Sequence, residues 1–378
     1  MDPWVAEQAE RIAARAKREL EALVGVSSPS GDVAGAEECA AVCAALLPDE
    51  ATVERPTCSS PDHAPDLIAR VTGTGTARVV LLGHLDTVVA HANHQPLRAQ
   101  DGKLYGSGAV DMKGGDVLAL GVLRALTARP ELYGELALLL VCDEEWRTAP
   151  FGHAEAFAGW EACLCFEAGE TTEAGEDAVV VRRKGAGTLH VRAHGRAAHS
   201  GSAPDAGRNA LLALSRVAQA VATRHDPGGE HRLTAVPTIL NSGEAFNVVP
   251  GHGELYCDLR ADEQAAFDDV LNAVPEELDG VRLERHLLRV WPGMDAREAD
   301  APALAAATRV LGRPLHGHAR GGASDASHFA SVIPVTIDGL GPRGGAAHNP
   351  GEFVLERSLH ERAEVALAVA LAVLTPSA

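Results

Sequence analysis

Three short apolar runs in this 378-residue chain each stop abruptly at ionisable side chains. Residues 79–83 lead into His84, residues 135–142 lead into three consecutive acids, and residues 162–166 lead into Glu167. Apolar runs of this length are typical of strands that are buried on both faces of a central sheet. Acids at the ends of such strands are costly to bury unless a cation compensates them. The pattern therefore predicts a buried sheet with a charged site at the ends of its strands.

Helical periodicity alternates with these strands, which favours an α/β layer structure with ligands gathered at the strand ends. The pattern of predicted strands and helices changes near residue 180. The strand-type and helix-type segments from there to residue 290 fit a small sheet covered by two helices on one face. A chain of 378 residues also exceeds the size at which one core keeps growing. We therefore predict an inserted domain over 180–290 and a discontinuous domain formed by 1–179 and 291–378.

Charge and cysteine content narrow the function classes. The chain carries 33 basic and 52 acidic residues, a net charge of -19, which disfavours nucleic acid as a partner. Its seven cysteines are odd in number and lie mostly in apolar runs, which indicates reduced thiols in a cytoplasmic protein. The N-terminus lacks the basic start and apolar core of a signal peptide, and no run approaches the length of a membrane span.

Several ionisable residues together, rather than any single pair, predict a metal site. An isolated His-x-Asp pair such as His84 with Asp86 is more often structural than metal-binding. Further acids and a second histidine stand at strand ends or beside glycine-rich loops: Asp111, Glu144, Glu145, Glu167 and His348. Two histidines and three of these carboxylates would suit a pair of zinc ions, although cobalt or manganese tolerates the same nitrogen and oxygen ligands.

Eight segments occur in an order that resembles a known family: GHLDTV, GSGAVDMKGG, DEE, CFE, RAAHSG, NVVPGHGELYCDLR, GGASDA and GPRGGAAHNPGE. They look like the di-zinc metallopeptidase family of glutamate carboxypeptidase, aminoacylase and succinyl-diaminopimelate desuccinylase. The resemblance implies an α/β catalytic domain with a central mixed sheet flanked by helices. It also implies an inserted α+β lid and dimerisation domain with a small antiparallel sheet and two helices. The inserted segment 180–290 matches that expectation.

The resemblance assigns metal ligands position by position. Asp111 would bridge two zinc ions, His84 and Glu167 would complete one ion's ligands, and Glu145 and His348 would complete the other's. The peptide bond from Asp111 to Met112 is expected to be cis, as it typically is in the family.

Three further residues receive catalytic roles from the resemblance. Glu144 would be the general base for a metal-bridging hydroxide that attacks an amide carbonyl. Asp86 would accept the second ring N–H of His84 and so fix its tautomer. His199 resembles the family histidine that reaches across a dimer to stabilise the charge developing on the carbonyl oxygen.

Substrate contacts are predicted in the inserted domain and in a late glycine-rich loop. Asn247 and Arg260 stand where the family places substrate-binding groups, and Arg260 would hold a substrate carboxylate in two parallel hydrogen bonds. Capping or ion-pair roles are the alternatives for both. The loop around Gly322 could offer backbone N–H groups to the same carboxylate, and a plain turn is nearly as plausible.

These assignments predict a zinc-dependent amidohydrolase that cleaves an amide bond next to a free carboxylate. The substrate would be an N-acyl amino acid or the C-terminal residue of a short peptide, and the enzyme would be a homodimer. An aminopeptidase or tripeptidase of the same fold is the nearest alternative. A non-catalytic carboxylate or peptide binder is a second alternative, which the presence of Glu144 disfavours because a binder needs no general base.

Two positions after the DEE segment depart from the family pattern. Trp146 and Arg147 stand where a small or glycine-containing turn is common. We expect them to reshape the pocket walls rather than the ligand set, with a core role for Trp146 as the alternative.

Overall fold

A computed structural model describes residues 1–375 of the chain, which divide into two compact units. The first unit contains Met1–Arg182, Asp295–Ala319 and the residues from Ser324 onward, and the second contains Arg183–Met294 and Arg320–Ala323. The lid role proposed for the inserted segment stays a prediction.

The helices and strands are as follows. The α-helices are α1 (Pro3–Val24), α2 (Val33–Ala45), α3 (Gly114–Thr127), α4 (Ala210–Ala222), α5 (Ala265–Asn272), α6 (Arg297–Leu311), α7 (Ala326–Phe329) and α8 (Ser358–Leu374). The strands are β1 (Thr52–Glu54), β2 (Leu67–Thr72), β3 (Arg78–His84), β4 (Arg98–Gln100), β5 (Lys103–Tyr105), β6 (Glu135–Val141), β7 (Ala162–Cys165), β8 (Glu170–Thr171), β9 (Asp177–Arg183), β10 (Gly185–His194), β11 (Ala198–His199), β12 (Thr234–Ser242), β13 (Val248–Val249), β14 (His252–Ala261), β15 (Glu277–Leu278), β16 (Val281–Trp291), β17 (Met294–Asp295), β18 (Leu315–Arg320), β19 (Val335–Ile337), β20 (Gly344–Gly345) and β21 (Phe353–Leu355). None of the helices within residues 1–375 combines the length with the apolar composition that a membrane span needs.

The first unit is built on a six-stranded mixed sheet in the order β1-β2-β6-β3-β7-β19. Strands β6, β3, β7 and β19 run parallel, whereas β1 and β2 are antiparallel to their neighbours. The central strands are buried along nearly their whole length, and helices such as α1, α3 and α8 belong to the same apolar core. The predicted α/β class with a mixed central sheet is confirmed. Because β3, β6 and β7 are parallel, their carboxyl ends meet at one edge of the sheet.

A glycine-rich loop brings α3 against that edge. The peptide bond from Asp111 to Met112 in this loop is cis, as the sequence resemblance led us to expect. A Cβ atom on Gly115 would lie 1.9 Å from the carbonyl oxygen of Phe166. Only glycine therefore allows the start of α3 to approach the end of β7 so closely.

The second unit has a five-stranded sheet in the order β12-β14-β10-β16-β15, in which all neighbours are antiparallel. Every second residue of β14 from Gly253 to Ala261 is buried. The apolar side chains on that face pack with those of α4 and α5 in a separate core. Strand β12 lies at the edge of this sheet.

One buried acid in the first unit gives a prediction for stability. Asp300 on α6 is fully buried, and its Oδ1 accepts the backbone N–H of Thr336 at 3.0 Å. Within residues 1–375, no hydrogen-bond partner contacts its Oδ2. Burial raises the pKa of this carboxyl from 3.8 to about 8. Between these values the folded state holds a proton that the unfolded state has released, so stability falls as the pH rises.

We expect Asp300→Asn to gain stability relative to the wild type as the pH rises from 5 to 8, because the amide cannot ionise. Each pKa unit of difference is worth about 1.4 kcal/mol, and the relative gain should exceed that value. Urea unfolding at both pH values measures it. Asp49→Asn, which changes an exposed acid, is the control. An unchanged pH slope in Asp300→Asn would contradict the prediction.

Candidate metal centre

One group of possible metal ligands lies where three elements of the first unit meet. His84 ends β3, Glu167 follows β7, and Asp111 lies in the loop before α3. The Nε2 atom of His84 is 3.2 Å from Oδ1 of Asp111 and 3.8 Å from Oε1 of Glu167. One ligand atom from each side chain lies within 4.8 Å of the other two, close enough for all three to hold one ion.

A second group shares Asp111 with the first. It adds Glu145, which follows β6, and His348 from the loop between β20 and β21. The Nε2 atom of His348 is 3.2 Å from Oδ2 of Asp111 and 3.1 Å from Oε2 of Glu145. His348 lies in a turn and has a φ of 64°, which is uncommon for a residue other than glycine. Asp111 thus presents one carboxylate oxygen to each group.

Glu352 holds the loop that carries Asp111. Its buried carboxylate accepts the backbone N–H groups of Gly108 at 2.9 Å, Val110 at 2.8 Å and Asp111 at 3.0 Å. Burial raises the pKa of Glu352 to about 7, although these three donors oppose the rise. The sequence interpretation gave Glu352 no role. The only signal was its place at the end of the GPRGGAAHNPGE segment.

Asp86 connects the first histidine to the turn after β6. Its Oδ1 accepts the backbone N–H of Glu144 at 3.1 Å, and its Oδ2 accepts that of Glu145 at 3.0 Å. The Nδ1 atom of His84 is 3.0 Å from the carbonyl oxygen of Asp86 and 3.4 Å from its Oδ1. The main-chain carbonyl is therefore the nearer acceptor for the second ring N–H, and it leaves Nε2 to face Asp111.

The electrostatics of the site favour added positive charge. Burial raises the pKa of Glu144 and of Glu145, and neighbouring carboxylates reinforce both shifts. Hydrogen bonds to Asp111 and Glu145 raise the pKa of His348 to about 10. Burial opposes ionisation of His84, yet its contacts with Asp111 and Asp86 raise its pKa well above 6.5. The crowded acids thus raise the pKa of both imidazoles.

The donor set fits divalent metal ions. Ligand bonds of about 2.0–2.2 Å place neighbouring donor atoms roughly 3.3 Å apart in tetrahedral coordination. The nitrogen–oxygen separations of 3.1 to 3.8 Å in both groups are of this size. A bound ion would compete with protons for the same ligand atoms. Each group offers one imidazole and two carboxylates, which zinc, cobalt and manganese all accept.

Two of the other predicted site residues are neighbours in the second unit. Strand β11, which ends at His199, pairs with β13, which begins one residue after Asn247. The carbonyl oxygen of Asn247 accepts the backbone N–H of Ser200 at 3.0 Å. The Nδ1 atom of His199 accepts the backbone N–H groups of Gly201 and Ser202, each at 3.1 Å. A neutral His199 therefore carries its proton on Nε2 and can donate it to a ligand.

Arg260 and Gly322 also lie in the second unit. The Nε atom of Arg260 donates to both carboxylate oxygens of Asp258 at 3.1 and 3.2 Å, and its Nη2 donates to Oδ1 at 3.1 Å. The opposite edge of the guanidinium, formed by Nη1 and Nη2, could still meet a second carboxylate. Gly322 is exposed, and its carbonyl oxygen accepts from Nη1 of Arg183 at 3.0 Å.

The side chain of Trp146 is 57% exposed. The alternative of a core role is therefore wrong. Trp146 lies at the surface directly after the predicted metal ligand Glu145.

The first unit thus combines a mixed central sheet with two histidine–carboxylate groups, each of which could hold a metal ion. The sequence matches the peptidase family M20/M25/M40 over residues 80–372, and the chain belongs to this family. The resemblance noted from the sequence is confirmed. The family is metal-dependent and hydrolyses amide bonds.

Curated relatives and solved structures agree with that assignment. The chain is 27% identical to carboxypeptidase G2 of Pseudomonas sp. over 345 residues, covering 87% of this chain and 82% of the relative. It is 31% identical to a succinyl-diaminopimelate desuccinylase of Alkalilimnicola ehrlichii over 297 residues, covering 72% and 77%. The fold matches the crystal structure of the aminopeptidase PepT from Bacillus cereus with a TM-score of 0.78 at 20% identity, covering 96% of this chain and 99% of that one.

Proposed function

We propose that this chain is a metal-dependent amidohydrolase that cleaves an amide bond next to a free carboxylate. The substrate would be an N-acyl amino acid or the C-terminal residue of a short peptide. The observation that carries the proposal is the pair of ligand groups that share Asp111, with Glu144 directly beside the ligand Glu145. The carboxypeptidase and desuccinylase relatives, named above, support the substrate class.

The metal site would hold two zinc ions, with cobalt or manganese as possible substitutes. Asp111 would contribute to both, His84 and Glu167 to one, and Glu145 and His348 to the other. When bound, such ions lower the pKa of a water molecule and polarise the substrate carbonyl.

The chain's own residues would supply the remaining steps. Glu144 takes a proton from the attacking water and later returns it to the leaving amine. The Nε2–H group of His199 donates to the carbonyl oxygen as negative charge develops there. Arg260 donates to the substrate carboxylate from the edge that Asp258 does not occupy, and Asn247 and the backbone at Gly322 provide further polar contacts.

A substrate panel with and without chelator tests the proposal. Acyl amino acids and dipeptides with a free carboxylate should be hydrolysed, the activity should vanish with a chelator, and zinc should restore it. Matching substrates with an amidated C-terminus are the controls and should react far more slowly. An enzyme that instead requires a free amine on the substrate is the aminopeptidase or tripeptidase alternative. No chelator-sensitive hydrolysis across the panel would remove the amidohydrolase proposal.

We also propose a cytoplasmic location and a homodimer. All seven cysteines are buried and form no disulfide, which suits a reducing compartment. The dimer would use the edge strand β12 and the neighbouring helix α4. Both carry exposed apolar side chains: Leu211, Leu212, Val236 and Ile239. Exposed apolar groups beside an unpaired strand edge favour association with a second copy.

We expect Ile239→Asp to yield monomers, because the charge would be buried at the interface. If His199 acts across the dimer, kcat should fall by about 10²–10³-fold while metal content is unchanged. Light scattering measures the oligomeric state, steady-state kinetics measure kcat, and metal analysis measures the bound metal. Val53→Asp is the control, since Val53 is similarly exposed on β1, the edge strand of the first unit. A dimer that survives Ile239→Asp would contradict this interface.

Mixing two inactive variants tests the role of His199 in trans. Dimers re-formed from Glu144→Gln and His199→Ala chains should regain up to about a quarter of wild-type activity, since half are mixed and each mixed dimer has one intact site. If His199 acts within its own chain, no mixed dimer contains an intact site and activity stays absent.

A further inference from the structure

The turn that presents Glu144 and Glu145 is closed by a buried arginine. Arg147 donates from Nε and Nη2 to Oδ1 of Asp143, at 3.1 and 2.7 Å. The two residues stand on either side of the Glu144–Glu145 pair, so this contact joins both ends of the turn. We call residues 143–147 the acidic turn.

The same guanidinium ties the acidic turn to a distant segment of the first unit. Nη1 and Nη2 of Arg147 donate to Oδ1 and Oδ2 of Asp325, at 2.5 and 2.8 Å, in a bidentate pair. The guanidinium carbon also lies 4.7 Å from the centre of the Phe151 ring. Asp325 directly precedes α7. One planar group thus bridges two carboxylates, which a lysine could not do in the same geometry.

The surroundings leave this arrangement little freedom. The side chains of Arg147, Asp143 and Asp325 are 3%, 0% and 4% exposed, so solvent cannot replace a lost partner. The remaining oxygen of Asp143 accepts the backbone N–H and the hydroxyl of Ser60, at 2.9 and 2.8 Å. Ser60 Oγ in turn accepts the backbone N–H of Thr148, just beyond the acidic turn, at 2.9 Å.

Charge balance keeps the arginine ionised. The two buried carboxylates of Asp143 and Asp325 surround this single cation. Removal of the guanidinium would leave two buried carboxylates without their cation, which is strongly unfavourable. The backbone of the turn would then move toward solvent.

We propose that Arg147 is a positioning residue that fixes the acidic turn through Asp143 and Asp325 and so sets the placement of Glu144. Arg147 would act through the turn backbone, which Asp86 also holds by the N–H groups of Glu144 and Glu145. The inference rests on the proposed function of Glu144. Arg147 stands where a small or glycine-containing turn is common in the family.

The first test compares Arg147→Ala with Arg147→Lys and Asp325→Asn. A displacement of about 1 Å can cost 10²-fold in rate, so kcat should fall by about that factor in Arg147→Ala while KM changes little. Lysine should restore only part of kcat. Added ethylguanidinium should restore kcat to Arg147→Ala, and ethylammonium should not. Asp325→Asn keeps the bond to Asp143 and should show a smaller loss; it carries the test if Arg147→Ala does not fold.

The control is Arg124→Ala. Arg124 joins α3 to the buried Glu19 of α1 through a 2.7 Å ion pair and also donates to the carbonyl oxygen of Leu46 at 3.0 Å. It should lose stability without the loss of kcat or the response to ethylguanidinium.

A second measurement is independent of turnover. In the metal-free protein, amide hydrogen exchange of residues 143–148 should be faster in Arg147→Ala than in the wild type, and unchanged in Arg124→Ala. Normal kcat in Arg147→Ala, unchanged exchange in that segment, or an equal kcat loss in Arg124→Ala would each overturn the inference. A wild type without amidohydrolase activity would refute the proposed function instead, and the exchange result would then decide the role of Arg147 in fixing the turn.

Discussion

Glu144→Gln is expected to lower kcat by about 10²–10⁴-fold while the metal content of the enzyme stays at the wild-type level. Glutamine has nearly the shape of glutamate but cannot take a proton from the attacking water. Glu144 is a member of neither ligand group, whereas its neighbour Glu145 belongs to one. The backbone N–H that Asp86 holds is also retained. Steady-state kinetics together with metal analysis of the purified variant measure both quantities.

The matched control for this substitution is Glu155→Gln, which makes the same chemical change at an exposed position of the first unit. It should behave as the wild type. Loss of metal in Glu144→Gln would show that Glu144 is a ligand. Retention of turnover with bound metal would show that another group is the base, and Glu145 or Glu167 would then need the same test.

Asp111→Ala is expected to remove both metals and all measurable activity. Its two carboxylate oxygens face different histidines, Oδ1 toward His84 and Oδ2 toward His348, each at 3.2 Å. Loss of one side chain therefore takes a ligand from both groups at once. His348→Ala should have a milder effect on binding, because the group of His84, Asp111 and Glu167 remains intact. Metal analysis should give close to no ion per chain in the first variant and about one in the second.

Asp116→Asn is the control for this pair. Asp116 is a fully buried acid near the start of α3, outside both ligand groups. Burial raises the pKa of its carboxyl well above 3.8, and asparagine has nearly the same shape. It should bind metal as the wild type does. Equal metal loss in Asp111→Ala and His348→Ala would contradict a shared ligand and favour a single site.

Much of the site could be predicted from the sequence because its residues follow apolar strands. His84, Glu145 and Glu167 come directly after or close to the ends of β3, β6 and β7, and parallel strands bring their carboxyl ends together. The position of each residue at the end of an apolar strand therefore predicted that residues distant in the sequence lie close together in the fold. The resemblance to a known family supplied the roles, which spacing could not distinguish.

Other features had no local signal. Arg147 follows the acids in the sequence, but its partner Asp325 lies 178 residues away. Glu352 reaches the Asp111 loop across 241 residues. Residue type alone does not show which buried carboxylate meets which buried donor, because many pairings satisfy the same chemistry. The same limit explains why the sequence left both a pocket-wall role and a core role open for Trp146, which the fold exposes.

The stretch from residue 79 to 115 contains both features that local sequence predicts and features that depend on the packing of distant segments. Apolar patterning and glycine content are local properties, so they were enough to predict that His84 ends a buried strand and that Asp111 lies at a glycine-rich loop before a helix. The folded chain, by contrast, places the two oxygens of Asp111 against two histidines that are more than 260 residues apart in the sequence. That arrangement depends on the parallel sheet, on the close approach at Gly115 and on the hold of Glu352, which exist only once distant segments have packed together.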